Sequence, residues 1–180
     1  LNLSGRYMKL QKSLDAFLFC CYAGMRYSDF TNLSKKNIVD INQETWLIYK
    51  SVKTGTEVRL PLYLLFAGKG IVILNKYRNN LEDFFRLRDN SNINKDLIII
   101  AKLAGLSKKI SFHTARHTNA TLLIYNGVNI TTVQKLLGHK SVKTTQVYTN
   151  IMDMTIVHDL EKIKQAALGI KKKTDNSFNK

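Results

Sequence analysis

Acidic residues are scarce in this 180-residue chain: 13 Asp and Glu stand against 28 Lys and Arg, a formal charge of +15 with a pI near 9.9. A surplus of that size draws a domain to polyanions, and composition leaves nucleic acid and an anionic membrane surface open. Cysteine is nearly missing as well. Cys20 and Cys21 are adjacent within an apolar run, a spacing that excludes a zinc knuckle and a mutual disulfide and fits buried, reduced thiols. No apolar run approaches the roughly 18 residues of a membrane span, and no signal peptide opens the chain, so an intracellular protein is expected. There is no internal repeat. With 44% hydrophobic and 23% charged residues, the composition excludes a disordered chain, and the length suits one domain, with or without an appendage, around its own core.

What the chain does have is concentrated between His113 and Asn150, HTARHTNATLLIYNGVNITTVQKLLGHKSVKTTQVYTN. His113 and Arg116 are three apart, Gly138 and His139 follow, and Tyr148 lies nine residues beyond His139. Positions i and i+3 of a helix share a face, so His113 and Arg116 can converge on one small anion such as phosphate. Apolar periodicity predicts a helix from Phe112 to Asn126, with Ala120, Leu123 and Ile124 facing the core and Gly127 as the stop. A second helix is expected over 131–137, closed by Gly138, and a third, capped by Ser141, carries Tyr148 late along its length.

His-x-x-Arg, then Leu-Gly-His, then Tyr nine residues on resembles the signature of the tyrosine recombinase (phage integrase) family. The resemblance implies a fold and a chemistry. The fold is α+β, a mainly helical catalytic domain with a small three-stranded antiparallel sheet, spanning residues 1–168 here. Residues 169–180, with Lys171, Lys172 and Lys173, are expected to form a disordered basic tail. Family members usually carry a helical core-binding domain ahead of the catalytic one. Nothing in this chain matches it, and the opening Leu in helical sequence suggests a fragment of a longer protein.

Leu10, Leu14, Phe17, Leu18 and Cys21 recur at helical spacing and predict a helix over 7–23 that ends at Gly24, with a short second helix running to about Leu33. The family's first catalytic Arg follows such a Gly, so Arg26 matches it, and Asp29 matches its next acid. Strand-like runs at 37–41, 45–50 and 56–60, turning at Asn42-Gln43 and Thr54-Gly55, predict an antiparallel sheet. The family's catalytic Lys sits on the hairpin before a Pro-Leu step, which points to Lys53, with Lys50 as the alternative. Residues 62–87 read as helix broken by Gly68 and Gly70 and hold no motif. A helix over 94–104 is capped at Gly105. An amphipathic helix over 154–168 carries Ile156, Val157, Leu160, Ile163 and Ala167, and in the family such a helix docks on a neighbouring protomer.

These residue types suit phosphodiester chemistry. A metal-free enzyme must neutralise charge growing on the non-bridging oxygens, and a guanidinium offers a permanently charged fork of donors. Arg26 and Arg116 are assigned that task. A phenol with a pKa near 10 is only about 0.1% ionised at neutral pH, so Tyr148 needs charge or a base beside it. His113 is placed to take or relay the proton, His139 to hydrogen-bond the phosphate or order the tyrosine, and Lys53 to protonate the departing 5′-oxygen. By resemblance the product is a 3′-phosphotyrosyl link with a free 5′-hydroxyl, rejoined without ATP, metal or cofactor. The expected partner is double-stranded DNA, bound by a homotetramer assembled through helix 154–168, in the cytoplasm at the nucleoid. His113 and His117, four apart, lack the intervening Glu and third ligand of a zinc site, so His117 is read as structural. Three rival functions remain: a helix-turn-helix regulator over 130–149, a related nicking topoisomerase, and a binder of anionic membranes or acidic proteins.

Overall fold

The computed structural model describes residues 3–149 and the positions 160, 161, 163 and 164. The expected helix over 154–168 and the tail over 169–180 lie, but for those four positions, outside the described residues. Eight α-helices, two short 3-10 turns (Lys35–Asn37 and Leu65–Gly68) and one sheet occupy residues 3–149: α1 (Leu3–Ala23), α2 (Tyr27–Thr31), β1 (Ile38–Ile41), β2 (Glu44–Lys50), β3 (Glu57–Pro61), α3 (Lys69–Lys76), α4 (Leu81–Phe85), α5 (Asn90–Leu103), α6 (Phe112–Tyr125), α7 (Ile130–Leu137) and α8 (Val142–Gln146).

α1 is the central strut, packed against α3, α5 and α6. Its inward residues Ala16, Phe19, Cys20 and Ala23 are almost fully buried. Phe19 meets Phe30 and Phe84 edge-on, with ring centroids at 5.9 and 6.2 Å, and Phe30 in turn meets Phe85 and Phe112. Each such ring contributes roughly 1.5–3 kcal/mol through burial, so this cluster dominates the cohesion of the helical half. Both cysteines are buried and unpaired, as their adjacency implied, and burial pushes both thiols upward, Cys21 to about 12.

The sheet has the order β1-β2-β3 with both pairings antiparallel, Val39 opposite Trp46 and Tyr49 opposite Val58. The strand bounds agree with expectation to within a residue. Asn42 and Gln43 both take positive φ (54° and 65°), the geometry of a tight hairpin turn.

The helical reading needs five corrections. α1 begins at Leu3, four residues before its expected start. α2 stops at Thr31 rather than Leu33, and Arg26 stays outside it with extended backbone (φ −80°, ψ 158°). Of the two glycines only Gly68 interrupts the 62–87 stretch, which breaks again at 77–80 between α3 and α4; Gly70 lies buried inside α3, facing the Phe19 ring. α5 begins at Asn90, four residues early, because the Asp89 side chain accepts the Asn92 N–H at 3.1 Å and caps it. Tyr148 is not on a helix, since α8 ends at Gln146 and the tyrosine sits in the following turn, its N–H donating to the Thr145 carbonyl at 3.1 Å.

Two chain reversals bring the site together. α7 ends in a Schellman arrangement: Gly138 at φ +63° lets the His139 N–H reach the Gln134 carbonyl (3.0 Å) and its own N–H reach that of Lys135 (3.0 Å). Gly24, at φ +68°, ends α1 so close to α6 and α7 that a Cβ there would stand 2.6 Å from Asn119 Oδ1 and 2.9 Å from Leu137 Cδ2. Gly24→Ala is therefore expected to destabilise the domain by about 2–4 kcal/mol, the sum of left-handed strain and overpacking. Urea unfolding of the variant beside wild type checks this.

Candidate active site

Arg116 sits at the centre. It is the largest fully buried side chain, 1% exposed, and its guanidinium donates to the carbonyls of Gly24 (2.7 Å) and Leu137 (2.6 Å). Those carbonyls lie at the C-terminal ends of α1 and α7, where the helix dipoles present negative charge, so two helix ends hold one buried cation. Burial, and then the neighbouring charge of Arg26, lowers its pKa to about 10, which leaves it charged at neutral pH. Asn119, one turn along α6, donates to the carbonyls of Cys21 and Tyr22, both at 3.0 Å. Together the two side chains weld α6 to the end of α1.

Arg26 approaches from the other side. Its Nη1 lies 3.4 Å from Asp29 Oδ2 and 3.3 Å from Ser51 Oγ. Asp29 is 1% exposed, and its other oxygen accepts the Val52 N–H at 2.8 Å. One buried carboxylate thus fixes both the arginine and the start of the β2–β3 hairpin. The hairpin is tied a second time where Thr54 Oγ1 donates to the Gly138 carbonyl at 3.0 Å. Lys53 stands exposed between those two attachments, and its charge is among those that depress the imidazole of His113. Lys50 is exposed at the end of β2, in register with Glu57.

Residues from α6 onward complete the set. His113 is exposed on the first turn of α6; desolvation, then the charges of His117, Arg116, Arg26 and Lys53, hold its pKa below the ordinary value. His139 is buried, with Nδ1 2.9 Å from the hydroxyl of fully buried Thr145. Burial, then Arg116 and Arg26, press its pKa down to about 4, so the ring is neutral at physiological pH. Tyr148 is 5% exposed; burial raises its phenol, while Arg116, by charge and hydrogen bonding, and Arg26, by charge, pull it back down.

The charges of Arg26 and Arg116 reach His113, His139 and Tyr148, and that of Lys53 reaches His113. Asp29 is the acid packed against Arg26. Sequence reasoning passed over Asn119, Thr145, Ser51 and Tyr49. Asn119 lies at i+3 from Arg116, a spacing that marks it as a neighbour. Tyr49 is buried with its hydroxyl lacking a hydrogen-bond partner, and the position of that ring follows only from the packed sheet. Among the described residues no group of three or more His, Cys, Asp or Glu is placed to hold a metal ion.

The depressed His139 carries a stability consequence. An unfolded chain takes up a proton at this histidine near pH 6.5, whereas the folded domain does not until about pH 4. The unfolded state binds more protons across that window, so stability falls as pH drops through it. Melting temperatures measured from pH 7 to pH 4 are expected to decline more steeply for wild type than for His139→Asn, which retains a partner for Thr145 but does not titrate.

A model described as the phage integrase family matches residues 7–154. Tyrosine recombinase XerC of Rickettsia prowazekii (strain Madrid E) is 30% identical over 159 residues, covering 83% of this chain and 49% of the relative. Tyrosine recombinase XerA of Saccharolobus solfataricus is 34% identical over 134 residues, covering 72% of this chain and 42% of the relative. Among solved structures, XerA recombinase superposes with a TM-score of 0.64 at 25% identity, covering 86% of this chain and 63% of that one. A lambda integrase dimer bound to a COC' core site has the same fold, with a TM-score of 0.61 at 22% identity over 79% of this chain and 56% of that one. The chain spans about half the length of the curated relatives it matches.

Proposed function

This chain belongs to the phage integrase family, and from that premise we propose that it is the catalytic domain of a site-specific DNA recombinase with Tyr148 as its nucleophile. The observation that carries the reading is the placement of a buried tyrosine within the charge of two arginines that are themselves locked in position. A phosphodiester seated between Arg26 and Arg116 has its non-bridging oxygens matched by guanidinium donors before reaction begins, so the charge that grows in the transition state meets a field already oriented.

Tyr148 Oη attacks phosphorus, the bond from phosphorus to the 5′-oxygen breaks, and the tyrosine proton passes to His113. Lys53 gives its proton to the departing 5′-oxygen. His139, neutral and held through Nδ1 by Thr145, presents Nε2 towards a phosphate oxygen. The 3′-phosphotyrosyl bond keeps the energy of the broken linkage, so a 5′-hydroxyl from a second strand can attack it and rejoin the DNA without ATP. In the free domain the phenol remains protonated, because burial outweighs the arginines. Duplex DNA is the partner, and a homotetramer joined through residues 154–168 is the assembly this reading carries, acting on the nucleoid in the cytoplasm. Among the described residues no helix is long and apolar enough to cross a membrane.

The regulator reading fares less well, since its recognition helix would be α8, five residues long, which spans only about 7.5 Å. The test is strand capture. Nicked suicide duplexes tiled across the DNA that flanks the coding sequence are incubated with the protein in EDTA without ATP. An SDS-resistant complex that retains the 3′-phosphate side and leaves a free 5′-hydroxyl is expected. Binding without capture on every duplex would favour the regulator.

A further inference from the structure

His117 lies one turn beyond His113 on α6, and its ring meets two members of the site at once. Its centroid is 4.4 Å from that of His113 at an interplanar angle of 87°, and 5.4 Å from that of Tyr148 at 61°. We infer that His117 is a positioning residue, a wall that sets the angle of the Tyr148 ring for attack; this rests on the recombinase reading above.

The need for such a wall follows from the backbone. Tyr148 sits in a turn after a five-residue helix, an element too short to be rigid by itself. Its one described backbone bond, to the Thr145 carbonyl at 3.1 Å, fixes the main chain, and Arg116 hydrogen-bonds the hydroxyl at the far end, which leaves the tilt of the ring between them to packing. The Thr145 hydroxyl bond to His139 fixes α8 from one side. His117 supplies a second surface, against the Tyr148 ring itself, and it is anchored by the same helix that carries buried Arg116. The phenol is thereby referenced to the guanidinium that will hold its phosphate. An edge-to-face contact sets ring orientation without needing a hydrogen bond, so the contribution lies in the shape of the ring rather than in its nitrogens.

Two variants separate shape from proton transfer. His117→Ala is expected to slow covalent capture at saturating DNA by about 10-fold, the effect of losing one aromatic contact and the orientation it sets, with Kd for DNA unchanged. His117→Phe, which keeps the ring and removes both nitrogens, is expected to restore most of that rate. In the free protein, 13C-tyrosine NMR should show the Tyr148 ring signal, assigned by its loss in Tyr148→Phe, shifted and broadened by the alanine and recovered by the phenylalanine. Capture by His117→Ala at the wild-type rate overturns the inference and leaves the role of Tyr148 standing. Equal failure of both variants also overturns it, assigning His117 to proton transfer instead. A wild-type protein that captures no DNA overturns the recombinase reading and this inference with it.

Discussion

Tyr148→Phe is expected to abolish covalent capture of DNA, a loss of at least about 10⁴-fold, because no other atom at the site can take the place of the phenol oxygen as nucleophile. The same change should barely disturb the fold. The phenylalanine ring fills the same buried space and keeps its edge against His117, and the hydroxyl it removes trades its hydrogen bond with Arg116 against a cost of burial. Stability should stay within about 1 kcal/mol of wild type, because a ring of the same size refills the pocket. DNA affinity should be unchanged, since the cationic groups remain. Suicide-substrate capture, a binding titration and a melt on the same preparation check the three parts together. Their separation distinguishes a missing nucleophile from a damaged site.

Arg116→Ala is expected to fail in both respects. The guanidinium holds the carbonyls of Gly24 and Leu137 in a fully buried setting. Its removal leaves two buried acceptors unsatisfied and opens a cavity between α1, α6 and α7, at a cost of about 3–5 kcal/mol. Against a typical total of roughly 5–15 kcal/mol, that is a large share of the fold. Cleavage should drop by about 10²–10³ or more even where the protein remains folded, the range seen when one preorganised donor to a developing oxyanion is lost. Arg116→Lys separates the two losses. It keeps the charge but lacks the fork that reaches both carbonyls, so it should recover part of the stability and little of the rate. Urea unfolding and capture below the melting temperature give the two readouts.

Much of the framework was legible from local rules. Glycine after an apolar stretch marks the ends of α1, α5, α6 and α7, and Asn42-Gln43 and Thr54-Gly55 mark the two hairpin turns. The His113–Arg116 spacing places both on α6 because helical geometry is local. What escaped depends on distant parts of the chain. Nothing near Asp29 says that its carboxylate will bond the Val52 N–H while contacting Arg26. The pairing of His139 with Thr145 needs the reversal at Gly138, and Tyr148 falls beyond α8 because so short a helix stops at Gln146. Gly70 looks like a breaker, yet it lies inside α3 with nothing in its backbone conformation that requires glycine. The Asp89 cap is different, since Asp three residues before Asn92 was readable as a helix start and was passed over.

The most direct measurement is to map the bond itself. DNA captured by the wild-type protein is trimmed with nuclease, the protein is digested, and the peptide bearing a residual nucleotide is sequenced by tandem mass spectrometry. The account predicts a single adduct, on Tyr148, joined to the nucleotide through its 3′-phosphate. An adduct on another side chain, or one joined through a 5′-phosphate, would contradict it.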